Sequence, residues 1–341
     1  MWDTFPDQPQ FIRPKKMGTM CRLIRALTAL ACAAVCVLAQ AQEYPARPVR
    51  IVVPYSAGGG LDTLARAIAQ RLTEAWGQQV LVENKPGANT IIGTEYVARS
   101  DPDGYTLLLT EPALVINASL YSKLAYDPFK DFAPITGLVA VNQALVVNPS
   151  LPVKNVGELI ELAKKRPGEL SYASFGAGSS GHLNMELFQA MAGIKLNHIP
   201  YKGAAPALTD VAAGHVQMMF GSVGVVLAPW KAGRVRMLAV GSARRLAKYP
   251  DVPTVAETGL SGFEATAWLG LFGPAGTPRE VIGRINAQVQ EIFADPAFRG
   301  KNLDPQAFEP IVSSPEQFSD YTKSDALKWG KVVRGAGVKF D

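Results

Sequence analysis

The chain has 341 residues, 48% of them hydrophobic and 18% charged, a balance that can bury the cores of roughly two domains of about 150 residues each and excludes disorder, collagen or coiled coil as a description of the whole. Its 31 Gly and 25 Pro follow no three-residue period and argue for many short elements joined by turns rather than an all-helical bundle. The net charge of +5 is concentrated at the N-terminus and leaves no basic footprint for nucleic acid.

Arg13, Lys15, Lys16, Arg22 and Arg25 precede an uncharged stretch at residues 26–38 that closes with Ala39-Gln40-Ala41. That order is the n-region, h-region and small-x-small site of a secretory signal, with cleavage expected after Ala41. An uncleaved anchor is the alternative, but the stretch is short of the roughly 20 residues a membrane span needs. Residues 1–41 read as the signal peptide, and residues 1–16, polar and ahead of Met17, read as a start assigned too early; N-terminal sequencing of a product beginning at Met1 would overturn that. Cleavage removes five Lys/Arg and two Asp/Glu, leaving a net charge of about +2, and removes Cys21, Cys32 and Cys36. The mature chain then has no disulfide framework despite its export. A lipoprotein use of Cys36 is disfavoured by the bulky Val35 before it.

Beyond Gln42, short apolar runs alternate with helical periods, the βαβα pattern of a mostly parallel sheet. Ile51-Val52-Val53 is the first expected strand, and Leu61, Leu64, Ala65, Ile68 and Leu72 then mark a helix with Asp62 as N-cap and Gly77 as its stop. Strands are expected at 80–82 and 105–109, then a helix capped by Asn155 and ending before Pro167. There follow a strand at 170–174, a helix at 181–191, a strand at 195–199, a helix at 204–213 and strands at 216–220 and 234–240. Thr277-Pro278, Asp295-Pro296 and Ser314-Pro315 each read as an N-cap followed by Pro at the first helical position. Two longer β-like stretches, 135–147 and 265–272, stand apart from these short strands.

The sharpest motif is Gly176-Ala177-Gly178-Ser179-Ser180-Gly181, a G-x-G-x-x-G between a strand and a helix. A dinucleotide site also needs an acid about 20 residues on, and Asn197-His198-Ile199-Pro200-Tyr201-Lys202 supplies none, so no cofactor is expected. What remains is a set of free N–H groups and a helix dipole aimed at an anion. Loops of the same design are Pro54-Tyr55-Ser56-Ala57-Gly58-Gly59-Gly60, Lys85-Pro86-Gly87-Ala88-Asn89-Thr90 and Pro200-Tyr201-Lys202-Gly203. Four such turns at strand C-terminal ends suggest a small anionic ligand, although tight turns alone also select Gly. Ser179 lacks the first Gly of a nucleophile elbow, and His182 with Glu186 has no third metal ligand in view. His182, His198 and His215 are read as structural, with no metal and no catalytic residue expected.

Val52-Val53-Pro54-Tyr55 with Gly58-Gly59-Gly60 and Asp62, Glu83-Asn84-Lys85-Pro86-Gly87-Ala88 with Gly93, and Asp101-Pro102-Asp103-Gly104-Tyr105-Thr106-Leu107-Leu108 resemble the extracytoplasmic receptors of tripartite tricarboxylate transport, the Bug or TctC-like proteins. The likeness continues through Pro200-Tyr201-Lys202-Gly203-Ala204-Ala205-Pro206-Ala207, Pro250-Asp251-Val252-Pro253-Thr254-Val255-Ala256-Glu257 and Phe272-Gly273-Pro274-Ala275-Gly276-Thr277-Pro278, and so spans the mature chain. The resemblance implies an α/β, type II periplasmic-binding-protein fold: two α/β lobes joined by two crossing hinge strands, with the ligand cleft between them. Residues 42–141 plus 268–341 would form lobe 1 and residues 142–267 lobe 2. It further implies a monomeric periplasmic receptor that delivers a small carboxylate (di- or tricarboxylate, acidic amino acid or aromatic acid) to membrane permease subunits.

Carried over position by position, Tyr55, Ala57, Gly58, Gly59 and Asp62, with Ala88 and Asn89, would line the first lobe; Ser174, Gly178, Ser179 and Tyr201 would close from the second, with Lys202 as an added charge. This chain departs from the family's pattern at Asn89-Thr90, where small glycine-like residues are usual, at Glu111-Pro112 and after Phe220. Glu111 would repel a carboxylate unless the ligand carries an amino group or Glu111 points away. Two other readings are a sensor subunit for a signalling receptor and an exported α/β hydrolase using Ser179 or His182.

Overall fold

The computed structural model describes residues 44–337 and 339; the expected secretory signal and cleavage site lie outside them. In chain order the main elements are β1 (Val49–Val53), α1 (Gly60–Trp76), β2 (Val80–Asn84), α2 (Ile91–Ala98), β3 (Thr106–Thr110), α3 (Ala113–Leu120) and β4 (Phe132–Val147). Next come α4 (Val156–Lys165), β5 (Ser171–Ser174), α5 (Ser180–Ala192), β6 (Asn197–Pro200), α6 (Ala204–Ala213), β7 (Met218–Ser222), α7 (Val223–Lys231) and β8 (Arg236–Val240). The chain closes with β9 (Thr266–Pro274), α8 (Arg279–Ala294), α9 (Pro296–Asn302), β10 (Phe308–Pro310) and α10 (Pro315–Ala336).

The strands run in the order β2-β1-β3-β9-β4-β7-β5-β6, with β8 and β10 paired to β4. β1, β2 and β3 are parallel, so their C-terminal ends share one edge, and β5, β6 and β7 are likewise parallel. β4 belongs to both groups: residues 132–142 pair antiparallel with β9, and from Gln143 onward the strand pairs with β7 and then β8. The long strands expected at 135–147 and 265–272 are thus β4 and β9, and the exchange of partners between Asn142 and Gln143 divides the sheet into two α/β lobes.

Each lobe has its own core. Val52, Leu108, Leu114, Trp268, Phe272, Phe318 and Trp329 cluster in the first, where Trp268 meets Phe318 edge-on at 5.4 Å. In the second, Leu145, Tyr172, Phe188, Phe220 and Phe263 pack on one face of the sheet, and Val146, Ala173, Val211, Met219 and Val226 on the other. Each fully buried large side chain contributes about 1.5–3 kcal/mol. Leu183 of α5 crosses the boundary and packs in the first core.

Helix starts follow the side chains that cap them. Asn155 accepts the Glu158 N–H at 2.9 Å, Asp295 accepts the Ala297 N–H at 2.9 Å, and Ser314 and Gln317 form a reciprocal capping box. Two expected caps are corrected. Gly59 holds the N-cap position of α1, and Asp62 lies inside the first turn. Pro278, not Thr277, holds that of α8, because the Thr277 hydroxyl is turned back to Pro274 O at 2.7 Å. Helices α2, α3 and α7 had no counterpart among the expected elements; their short sequences are apolar without a one-sided 3.6-residue period.

Candidate functional site

The four predicted loops follow C-terminal ends of parallel strands, two in each strand group: 54–60 after β1 and 85–90 after β2 make up the first wall, 176–181 after β5 and 200–203 after β6 the second. On the first, Asp62 is 3% exposed and works as a staple. Its Oδ2 accepts the Gly58 N–H at 2.9 Å and the Arg66 Nε–H at 3.0 Å, and its Oδ1 accepts Asn84 Nδ2 at 2.9 Å. Burial opposes ionisation, but Arg66, the Gly58 N–H and Asn84 together hold the carboxyl below the usual carboxylate range. Asn84 also donates to Tyr55 O at 3.0 Å. The Tyr55 hydroxyl donates to Glu111 Oε1, so Glu111 is turned toward Tyr55. Burial raises the Glu111 carboxyl, the Tyr55 bond opposing and nearby Asp325 adding to the rise. Burial and then Glu111 push the Tyr55 hydroxyl well above its ordinary value.

Between β2 and α2 the backbone is unusual. Ala88, Asn89 and Thr90 have φ of 45°, 47° and 75°, a turn of left-handed conformation that costs an L-residue ~1 kcal/mol or more at each position. Gly93 lets this turn dock: a Cβ there would lie 2.7 Å from Lys85 O and 3.0 Å from Pro54 Cα. The Asn89 side chain donates to Asn117 Oδ1 at 2.8 Å rather than facing solvent.

The second wall is held by stacked rings. His182 and His198 lie 4.0 Å apart at 7°, and Tyr172 stacks on His198 at 4.8 Å. Gly178 N–H donates to His182 Nδ1 at 3.0 Å, which places the ring proton on Nε2, 3.8 Å from Glu186 Oε1. Burial lowers the pKa of His182 to about 4 and, helped by His182, that of His198 to about 4. The Ser174 hydroxyl donates to Gly176 O at 3.0 Å and lies 2.7 Å from His198 Nε2. The Ser179 hydroxyl donates to Gly176 O at 2.6 Å and caps α5 by accepting the His182 N–H at 3.4 Å. Tyr201 donates to Asp210 Oδ2 at 2.6 Å, and burial followed by that bond pushes its hydroxyl up to about 12. Lys202 is exposed.

Apart from Lys202, every predicted polar side chain on these walls is therefore bonded within the protein. Backbone is what remains: the N–H groups of Ala57, Gly59 and Gly60, of Asn89, Thr90, Ile92 and Gly93, and of Ala177, Ser180 and Gly181 have no protein acceptor among the described residues. They lie on or beside the first turns of α1, α2 and α5, where the helix dipole adds positive potential. Such an arrangement of donors is suited to holding an anion. Ser179 has no base beside it, and no group of His, Cys, Asp or Glu among the described residues could hold a metal. Cavities of about 280 Å³ beside Leu246 and Phe308 and about 560 Å³ beside Asn142 and Thr266 contain none of the predicted residues; neither shares the N–H-rich loops, which carry the chemistry.

Sequence reasoning missed Asn117, the Asn84 staple and the His182–His198–Tyr172 stack. Asn117 had a signal, being the one amide in the apolar run Ala113-Leu114-Val115-Ile116-Asn117-Ala118-Ser119-Leu120. The stack had none, because its members come from three separate elements.

Two α/β lobes sharing the long strands β4 and β9, with N–H groups lacking a protein acceptor at strand C-terminal ends, have the architecture of the periplasmic solute-binding proteins. Residues 64–338 match the family TctC, tripartite tricarboxylate transporter family receptor, and the chain belongs to that family. Among solved structures it is similar to Rpa4515 of R. palustris with adipate, at 36% identity and TM-score 0.79, covering 86% of this chain and 99% of that one. It is similar to the periplasmic binding protein BugD at 36% identity and TM-score 0.76, covering 87% and 99%. A third is MatC of Rhodopseudomonas palustris with bound malate, at 29% identity and TM-score 0.75, covering 85% and 100%. The fold expected from the sequence is the one these relatives share. The chain is a transporter-type receptor and not an enzyme, and no helix of the described residues is long and apolar enough to cross a membrane.

Proposed function

We propose that this receptor captures a small carboxylate between its lobes in the periplasm and delivers it to the membrane permease subunits of a tripartite tricarboxylate transporter. The single observation that carries the reading is the two sets of N–H groups without a protein acceptor, one in each strand group, beside predicted side chains that, Lys202 apart, bond within the protein. A carboxylate bound there is recognised by shape and backbone, without a charged partner, and adipate and malate in Rpa4515 and MatC are ligands of this kind. The residues proposed to line the cleft are Tyr55, Ala57, Gly58, Gly59, Asp62, Ala88 and Asn89 on one side and Ser174, Gly178, Ser179 and Tyr201 on the other. Several of these act by shaping the loop that presents the N–H groups. Lobe 1 is proposed to be residues 42–141 plus 268–341 and lobe 2 residues 142–267, a division supported by the change of β4 partners after Asn142. Closure about β4 and β9 would bury the ligand.

The test is thermal unfolding of the mature, refolded protein against adipate, malate, citrate, glutamate, aspartate and benzoate. An acid present at 100 times its dissociation constant should stabilise by about 2.7 kcal/mol, and loss of its uptake in a strain lacking the permease subunits would establish delivery. A flat panel would overturn the carboxylate reading.

A further inference from the structure

The left-handed turn at residues 88–90 is held by no glycine, so something else must stabilise it. Asn117 of α3 is fully buried, and it meets Asn89 twice: its Oδ1 accepts from Asn89 Nδ2 at 2.8 Å and its Nδ2 donates to Asn89 O at 2.8 Å. The same Nδ2 lies 3.5 Å from Thr90 Oγ1 and 3.3 Å from the Tyr126 hydroxyl, which itself donates to Leu114 O at 3.2 Å. The amide is thus fixed from below by α3 and Tyr126 and grips the turn from its buried side. Thr90 is 2% exposed and β-branched, among the residue types least suited to a φ of 75°; the tolerance of Asn for this region covers position 89 but not Ala88 or Thr90. An amide supplies the donor and the acceptor of this reciprocal pair from two separate atoms, Nδ2 and Oδ1.

We infer that Asn117 is a positioning residue for ligand capture: it locks Ala88, Asn89 and Thr90 left-handed and so aims the N–H groups of Asn89, Thr90, Ile92 and Gly93 into the cleft. In this chain a buried side-chain clamp replaces the glycine-like residues expected at 89 and 90. The turn is then rigid before the ligand arrives, so little ordering cost falls on binding. The inference rests on the proposed carboxylate site for its effect on affinity, but not for its effect on the turn.

The experiment uses Asn117→Ala, Asn89→Ala and Asn117→Ala combined with Asn89→Gly and Thr90→Gly. Amide hydrogen exchange of residues 87–93 is read without ligand, and adipate is the calorimetric probe. Asn117→Ala should speed exchange in that segment at least tenfold while β1 and β3 stay protected, and should weaken adipate at least tenfold. The glycine combination should recover part of both losses, which a merely structural role of Asn117 in the core would not produce. Asn89→Ala breaks the pair from the surface side and should show the same changes, smaller, even where Asn117→Ala fails to fold. Unchanged exchange at 87–93, within twofold, in both Asn117→Ala and Asn89→Ala, or no recovery in the glycine combination, would overturn the clamp. If the wild-type protein ignores adipate, the exchange result still decides the clamp, whereas the carboxylate reading stands or falls by the panel.

Discussion

The two walls of the cleft reach the same end by opposite means. The β5–α5 loop turns on Gly176 and Gly178, at φ of 137° and 76°, which adopt that backbone without penalty, and is pinned by near neighbours: the Ser174 and Ser179 hydroxyls on Gly176 O and the His182 ring under the Gly178 N–H. The β2–α2 loop forces three residues with side chains into the left-handed region and holds them with a buried amide. Glycine gives the geometry freely but leaves the loop free to leave it; a clamp supplies rigidity and makes the loop depend on one distant residue. The first wall should therefore be the more sensitive to substitution outside the loop and the second to substitution within it.

Predictions follow that order of sensitivity. Gly93→Val drives a branched side chain into Lys85 O and Pro54 and should cost about 3 kcal/mol or more in denaturant unfolding, since overpacking against backbone cannot relax easily. On the second wall acid should act through His182. Its folded pKa of about 4 lies below its unfolded 6.5, so the unfolded chain gains a proton first and stability falls as pH drops from 6.5 toward 4. At ~1.4 kcal/mol per pH unit the loss through His182 approaches about 3 kcal/mol. His198, lowered to about 4 by its own burial, adds to it in the same window, so His182→Gln should reduce the slope while His182→Gln with His198→Gln should flatten it. Glu111 and Asp325 are raised by burial; their contribution has the opposite sign and is lost as pH rises through their folded values. Asn117→Ala should cost about 2 kcal/mol, the usual scale for orphaning buried polar partners. Asp62→Asn keeps an acceptor for the Gly58 N–H but loses the charge facing Arg66, and should cost about 1 kcal/mol by the same measure of unfolding.

Much of the fold was legible because its periods are clean. Residues 204–213 were expected as a helix and are α6, and Asn155, Asp295 and Ser314 cap as their neighbours suggest. Helices α2, α3 and α7 were hidden because eight or nine mostly apolar residues carry no amphipathic signal. The site was legible as loops and illegible as contacts. Tyr55 and Tyr201 were expected as cleft-lining side chains, yet their hydroxyls are bonded to Glu111 and Asp210. Gly-rich spacing announces exposed backbone, whereas the partner of a hydroxyl is fixed by chain 56 residues away in the first case, beyond any local pattern.

Leu183 sits in the first-lobe core although its helix belongs to the second lobe, and Leu187 packs beside it. A parting of the lobes that withdrew Leu183 from this core would bring it toward water, at about 25 cal/mol for each Å² of apolar surface uncovered. That contact therefore favours whichever arrangement of the lobes keeps Leu183 covered. A polar substitution at Leu183 would shift that balance from a position that touches no ligand, turning an apolar contact between lobes into a dial for how readily cargo is released.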